Sequence, residues 1–378
     1  MIDAIVIGSG FAGSVAAEQL SRNGKKVVVI ESRNHVGGNC YDTKDEHGIL
    51  IHQYGPHIFH TNLENVYTYL SRFTEWNDYS HEVEAYINGI YMPVPFNLNT
   101  LMMVYGEEKA SHLAEKLIKK YGKDTKVPIL KLKENSDPDI VAIADYVYQN
   151  IFLQYTMKQW GQTPEEIDSS VTGRVPVLIS HDNRYFQDQY QGIPSDGYTP
   201  IFEKMLDNPN IEVLLRTDAR NLLVFDEKGI KYQDEYFKGD IIYTGPLDEL
   251  FQCQYGRLPY RTLEFVCEYH DTDSYQPKAV INYTVSEEFT RITEYKKLTG
   301  QEVKGTTIMK EYPKNYTGEN GEIPYYSIVN DENMTLYNKY VNLVKGYANF
   351  HLLGRLAEYK YYNIDAIVDK ALKLVKEL

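Results

Sequence analysis

The sequence predicts an α/β fold, and three observations carry that prediction: a strand–turn–helix–strand unit at the N-terminus, a breaker-poor helical middle, and short strands in the last third. Residues 2–7 (Ile-Asp-Ala-Ile-Val-Ile) read as a buried strand, followed by Gly8-Ser9-Gly10-Phe11-Ala12-Gly13 and a helical stretch to about Arg22. A second β-branched run, 26–30, ends at Glu31 and completes a βαβ unit. From Leu101 to Gly122 and from Ile140 to Trp160, apolar residues recur at helical spacing, with Ala142, Tyr146, Ile151 and Tyr155 on one face. Segment 161–173 is polar, breaker-rich and flanked by glycines, and reads as a mobile loop. Residues 211–243 alternate short strands and turns, and 262–270, 279–285, 305–312 and 323–329 read as a largely antiparallel sheet. A helix near 334–345, a strand near 347–353 and a helix from about 364 close the chain.

Composition narrows the function. With 378 residues there is room for two or three domains at ~100–200 residues each. A formal net charge of −14 disfavours general attraction to nucleic acid or an anionic membrane, so an anionic ligand must be held by locally placed arginines. Tyrosines number 34 against 13 phenylalanines, which suits stacking on bases or sugars, although half-buried strand positions account for tyrosines equally well. Cys40, Cys253 and Cys267 have neither metal-type spacing nor the number for a disulfide framework. The N-terminus lacks a basic n-region and apolar h-region, and no apolar run reaches the ~18 residues a bilayer span requires. The expectation is a cytoplasmic protein without membrane insertion.

Gly8-x-Gly10-x-x-Gly13 is weak evidence alone. Here it follows a strand, opens a helix and precedes Glu31 at the end of the next strand, which is the setting of a dinucleotide site. The glycines, with Phe11 and Ala12 between them, allow close backbone approach, and the helix N-terminus faces a pyrophosphate. Glu31 is placed to accept from the adenosine ribose. The stretch Glu31-Ser-Arg33-Asn-His-Val-Gly37-Gly38-Asn39 favours FAD over NAD, with Arg33 near phosphate or adenine. This Arg-x-x-x-Gly-Gly pattern resembles the amine-oxidase-like flavoproteins, as does Asp240-Ile-Ile-Tyr-Thr-Gly-Pro246.

Several further stretches closely resemble the UDP-galactopyranose mutase family. They are Tyr54-Gly-Pro-His57-Ile-Phe-His60-Thr-Asn62, Tyr155-Thr-Met-Lys-Gln-Trp160, and Arg174-Val-Pro with Asp182-Asn-Arg-Tyr185-Phe. Thr290-Arg291-Ile-Thr-Glu, Pro324-Tyr-Tyr326 and Gly354-Arg355-Leu-Ala-Glu-Tyr-Lys-Tyr361-Tyr362 follow in the family's order, so the resemblance spans essentially the whole chain. It implies a discontinuous Rossmann-like FAD-binding domain (1–80, 205–245 and 346–378), a helical insertion domain (81–175) and an antiparallel β-sheet domain (176–204 and 246–345). It further implies that Tyr155 stacks on uracil, that Arg174 and Arg291 clamp the diphosphate, and that Tyr185, Tyr326 and Tyr361 donate to phosphate oxygens. Trp160 would close over the sugar, with Asn282, His81 and Phe152 on the substrate side.

On the cofactor side the same resemblance places Arg355 at the flavin pyrophosphate, His57 and Ile58 beside the isoalloxazine through their backbone, and His60 next to it. His57 and His60 as satisfied core histidines are the plain alternative. Asp218 and Ala219 fall near adenine, and Tyr362, Asn363, Ile364, Asp365 and Ile367 start the last helix with its amides toward the cofactor. Asn363 replaces the Asp usual in the family, and Ser327 its Pro, which puts a carboxylate-specific role at 363 in question. The implied chemistry is interconversion of UDP-galactopyranose and UDP-galactofuranose with no net redox change. Reduced flavin N5 attacks the anomeric carbon, UDP leaves and returns, and the sugar recloses through its 4-hydroxyl. The catalytic set is His60, Arg174 and Arg291. An external reductant such as NAD(P)H, a homodimer and a product destined for cell-surface polysaccharide belong to the same expectation. An amine-oxidase-like oxidoreductase and a non-enzymatic nucleotide-sugar scaffold are the other classes compatible with these motifs.

Overall fold

The apolar runs Ala4–Ile7 and Val27–Ile30 are buried along their whole length, as strands covered on both faces must be. They sit at the centre of a five-stranded parallel sheet in the order Ile211–Leu214, Val27–Ile30, Ala4–Ile7, Asp240–Tyr243, Phe350–Leu352. The computed structural model describes residues 2–161, 163 and 176–378. It divides into one unit of Met1–Asp78, Asp188–Tyr260 and Asp331–Leu378, and a second of Tyr79–Gln187 and Arg261–Asn330. The parallel sheet belongs to the first unit.

Helix Phe11–Arg22 joins the first two strands and turns Val15, Ala16 and Leu20 inward, where Val368, Ala371 and Val375 of helix Ile364–Glu377 meet them in one core. Gly13 sets that packing. A Cβ there would lie 1.9 Å from the Gly8 carbonyl oxygen and 3.0 Å from Val6, so only hydrogen lets the helix lie this close to the turn. A small antiparallel sheet, Phe59–Thr61, Tyr190–Pro194 and Trp76–Asn77, completes the part of this unit that matters for the site. Thr61 Oγ1 donates to Asp365 Oδ2 at 2.9 Å, tying that sheet to the first turn of the last helix.

The second unit is built on a seven-stranded sheet in the order Tyr326–Ser327, Tyr260–His270, Thr306–Asn315, Arg291–Glu294, Val280–Tyr283, Val83–Ile87, Ile90–Val94. From Tyr260–His270 onward its pairings are antiparallel except for Val280–Tyr283 with Val83–Ile87, which run parallel. Helices Leu98–Tyr105, Glu107–Tyr121 and Pro138–Val147 contribute to the hydrophobic core shared with that sheet. Among the described residues no helix is long and apolar enough to cross a membrane.

Two local expectations differ from what is observed. Segment 81–175, read as helical, opens with the hairpin Val83–Ile87/Ile90–Val94; its Asn88-Gly89 turn has positive φ at both residues, the type I′ signature between alternating apolar residues. Ala142 is exposed, and the buried stripe runs instead through Ile140, Ile143, Ala144, Val147 and Ile151. A π-helical turn over Tyr148–Leu153 shifts the phase between helices Pro138–Val147 and Gln154–Trp160, so one α-helical stripe cannot run through both. The loop 161–173 lies outside the described residues except for Gly161 and Thr163.

Beneath the 55–58 turn, His52 is wholly buried, and its Nδ1 accepts the backbone N–H of His57 at 3.0 Å. Asp42 takes the Tyr198 and Thr199 amides in the same knot. Burial pushes the His52 imidazole down to about 3, and burial with His52 and Arg355 nearby pushes His57 down to about 3. In the unfolded chain both take a proton near 6.5. Between about pH 6.5 and 3 the unfolded state therefore binds more protons, and stability is lost as pH falls through that window. Asp42, raised by burial, works in the opposite sense at the acid end.

Thermal melting between pH 7 and 4 should accordingly show a smaller loss for His52→Gln than for the native chain; equal slopes would contradict the buried neutral state. Gly13→Ala should lower stability by about 1–3 kcal/mol through overpacking, read as a melting temperature several degrees lower; an unchanged melt would mean that the helix does not depend on the missing Cβ.

Candidate functional site

In the first unit two glycine turns meet backbone to backbone. Gly8 is left-handed at φ +96, Gly37 N–H donates to the Ser9 carbonyl at 2.9 Å, and a Cβ on Gly38 would lie 2.9 Å from Gly10 Cα. Gly10 caps helix Phe11–Arg22 without any side-chain hydrogen bond, and no acidic residue occupies the first turn, so its amides and the positive end of its dipole are available to an anion. Phe11 turns away, packed on Phe202 at 4.7 Å between centroids, so it and Ala12 can offer a ligand only backbone. Glu31 ties the turn to the second strand: Oε2 accepts from Ser9 N–H and Ser9 Oγ–H, and Oε1 from Arg33 N–H. A ribose hydroxyl would share a carboxylate already engaged.

Arg33 lies over the Tyr54 ring at 4.4 Å and donates through Nη2 to Asn39 Oδ1, while its buried Nη1 has no partner among the described residues. An orphaned guanidinium nitrogen beside two glycine turns fits a phosphate-bearing ligand. Arg216 and Thr217 amides donate to the Arg33 and Glu31 carbonyls, which brings Asp218 and Ala219 alongside; Asp218 caps the short helix Ala219–Asn221 and pairs with Arg220 at 2.6 Å. On the other side Gly354, at φ +110, packs against Ala12, and Arg355 lies over the Tyr361 ring at 3.9 Å. His57 Nδ1 bonds the Gly55 carbonyl, and Ile58 follows it into strand Phe59–Thr61. His60 Nδ1 meets Asp188 Oδ2 at 2.8 Å. Tyr362 donates to Glu358, Ile367 is buried, and Asn363 caps the last helix by backbone alone, with Ile364 and Asp365 opening its first turn.

In the second unit the sheet register does the assembling. Asn282 stands opposite Arg291, and Arg291 opposite Glu311, so three neighbouring strands place them in one row on one face. Arg291 donates through Nη2 to Tyr155 Oη at 2.9 Å, and its Nη1 lies 3.7 Å from Glu311, whose side chain is 1% exposed. Burial opposes the charge on Arg291, but Glu311 and Tyr155 outweigh it and hold its pKa well above the usual arginine value. Arg291 Nε, Asn282 Oδ1 and Glu311 Oε2 are buried without a hydrogen-bond partner among the described residues. The unsatisfied guanidinium N–H suits an anion, and the two acceptor oxygens suit hydroxyl donors.

Tyr155 comes from helix Gln154–Trp160, whose C-terminal carbonyls at Lys158 and Gln159 are held by Arg261. Trp160 and Tyr326 rings lie 5.1 Å apart. His81 and Tyr185 are also brought together, with the Tyr185 amide donating to the His81 carbonyl at 2.7 Å. Phe152 is buried in the core against Tyr148, away from the Arg291 row. Tyr361 sits in the first unit, on Arg355. Arg174 lies outside the described residues.

Glu311, Asp188 and His52 were not among the residues singled out from the sequence. Glu311 left no clear signal, because strand Thr306–Asn315 mixes polar and apolar residues and carries Lys310 beside it. Asp188 left none, because its role comes from pairing Gln191 of the Tyr190–Pro194 strand opposite His60.

Comparison with known proteins bears on both units. Residues 150–361 match the UDP-galactopyranose mutase family, and residues 6–73 match an NAD(P)-binding Rossmann-like domain. The chain is 35% identical over 372 residues to a dTDP-fucopyranose mutase of Escherichia coli, covering 98% of this chain and 96% of the relative. It is 36% identical over 376 residues to a protein of Klebsiella pneumoniae named "Probable UDP-galactopyranose mutase", covering 99% and 94%. A crystal structure of reduced UDP-galactopyranose mutase shares the fold, with a TM-score of 0.71 at 14% identity over 100% of this chain and 95% of that one. Matched along its whole length, the chain belongs to the UDP-galactopyranose mutase family and is an isomerase.

Proposed function

We propose that this protein interconverts UDP-galactopyranose and UDP-galactofuranose with FAD as cofactor. The observation that carries the reading is the row Asn282–Arg291–Glu311 with Tyr155, a site where the guanidinium Nε of Arg291 is unsatisfied in a chain of net charge −14. The first unit supplies the cofactor cradle. The Phe11–Arg22 helix N-terminus and Arg355 would hold the pyrophosphate, Arg33, Asp218 and Ala219 the adenosine end, and the 57–60 strand entry the ring system. Bound and reduced, the flavin would supply an electron-rich nitrogen nucleophile for the anomeric carbon.

The chain's own residues do the rest. Tyr155 offers its ring face to the base and keeps its hydroxyl on Arg291. Arg291, with Arg174 as its proposed partner, takes the charge that develops on the departing diphosphate, and its fork geometry suits phosphate oxygens. Glu311 keeps the guanidinium aimed and charged. Tyr185 and Tyr326 are proposed to donate to phosphate oxygens, and Trp160 and His81 to border the sugar end. On the same reading the reductant is external, such as NAD(P)H, and the protein works in the cytoplasm as a homodimer. Its galactofuranose product would then serve cell-surface polysaccharide.

The direct test is anaerobic incubation with UDP-galactofuranose and chromatography for the pyranose form, run beside dTDP-fucofuranose. The reading expects the uridine sugar to be converted faster; a preference for the thymidine sugar would move the specificity to that of the Escherichia coli relative. Conversion should occur with dithionite-reduced protein and stop in the air-oxidised form, and equal rates in both would exclude a reduced flavin as the nucleophile. Arg291→Ala should remove a charge-assisted contact worth about 1.5–3 kcal/mol, seen as a fall of about tenfold or more in kcat/KM. Native kinetics in that variant would place the diphosphate elsewhere.

A further inference from the structure

Strand Phe59–Thr61 carries His60 into the part of the first unit that the cofactor reading assigns to the flavin, and the corner before strand Tyr190–Pro194 closes over it. His60 Nδ1 and Asp188 Oδ2 are 2.8 Å apart. A carboxylate has no proton to give, so the hydrogen is on Nδ1. The other oxygen, Asp188 Oδ1, accepts from Asn62 Nδ2 at 2.6 Å, and Asn62 Oδ1 accepts the Gln189 backbone N–H at 2.9 Å. Gln191 Nε2 donates to the Asp188 carbonyl at 3.0 Å. Backbone and side chain of the corner are thus both fixed, and the orientation of the Asn62 amide is set by a main-chain donor. The carboxylate receives two donors at once, which an amide in its place could not do.

We propose that Asp188 is a positioning residue for His60: it holds the Nδ1–H form of the imidazole and fixes the orientation of the ring beside the bound cofactor. This rests on the reading that places the flavin beside His60. The hydrogen-bond chain itself predicts a specific failure and a specific repair. In Asp188→Asn one end of the new amide must turn its NH2 toward a donor, either His60 Nδ1–H or Asn62 Nδ2–H, and the ring loses its fixed partner. Adding Asn62→Asp reverses the polarity of the second link. The carboxylate at 62 still accepts the Gln189 amide, takes the NH2 at 188, and frees the oxygen at 188 to accept from His60.

The experiment uses flavin-loaded protein with 15N-labelled histidine, the His60 signals being identified by their loss in His60→Gln. The native protein is expected to show a protonated Nδ1. Asp188→Asn should disturb that pattern, shift the visible flavin spectrum and lower kcat about tenfold or more, as a misplaced group does, with KM for the nucleotide sugar nearly unchanged. The Asn62→Asp/Asp188→Asn pair should restore the nitrogen pattern and most of kcat, which a general loss of folding would not permit. An unprotonated Nδ1 in the native protein, a double variant no better than the single, or native kcat in Asp188→Asn would each overturn the proposal. Protein that takes up no flavin would overturn the cofactor reading instead, and the nitrogen pattern distinguishes the two failures because it is read on His60 itself.

Discussion

An acidic chain that is to hold a diphosphate has to keep a cation in place without filling the site with bulk positive charge. On the proposed reading the constraint is met by one pair, partly buried Arg291 with buried Glu311, set by the register of adjacent antiparallel strands. Burying Glu311 alone would be costly; beside it the Arg291 pKa is held well above its usual value, and Arg291 offsets part of the burial that raises the Glu311 carboxyl. The pair does not exhaust the guanidinium. One nitrogen goes to Glu311, one to Tyr155, and Nε is left without a partner among the described residues. Neighbouring structure follows from this placement. Tyr155 must reach Arg291 from helix Gln154–Trp160, and Arg261 pins the end of that helix by its carbonyls.

The first unit solves a different problem with backbone rather than charge. Two glycine turns bring main chain within contact distance of main chain, and Gly354 packs on Ala12 Cβ, around a helix terminus whose amides are not capped by a side chain. Glu31 holds the first turn from behind through the Ser9 and Arg33 amides, and His52 and Asp42 hold the His57 and Tyr198 amides in the same way. Such a cradle is rigid because its groups are satisfied on the inner side and open on the other. The same logic recurs at Asp188, which orients His60 through a hydrogen bond instead of contributing charge to a cluster.

How much of this was legible in the sequence depends on whether a role is local. The βαβ unit and the glycine turns are local, since strand run, turn and helix follow each other in order, and they appear where expected. The Asn88-Gly89 hairpin was equally local, but its alternation lies within a stretch assigned to helix on the strength of the apolar residues that follow it. The π turn at Tyr148–Leu153 has no sequence rule that announces it, and it displaced the stripe drawn through Ala142. Arg291, Tyr155 and Asn282 could be named from motifs, and the sheet does bring these three residues together or next to one another. Glu311 and Asp188 could not, because each acts across a strand pairing whose register a single sequence does not state.

The central claim is that the Arg291 row binds the nucleotide diphosphate, and a crystal structure of the FAD-loaded protein with UDP tests it most directly. The account predicts diphosphate oxygens within hydrogen-bond distance of the Arg291 guanidinium, Nε among the donors, with the uracil ring on Tyr155 and the Glu311 contact retained. A diphosphate bound away from Arg291, with Nε engaged by protein or left as it is here, would contradict it.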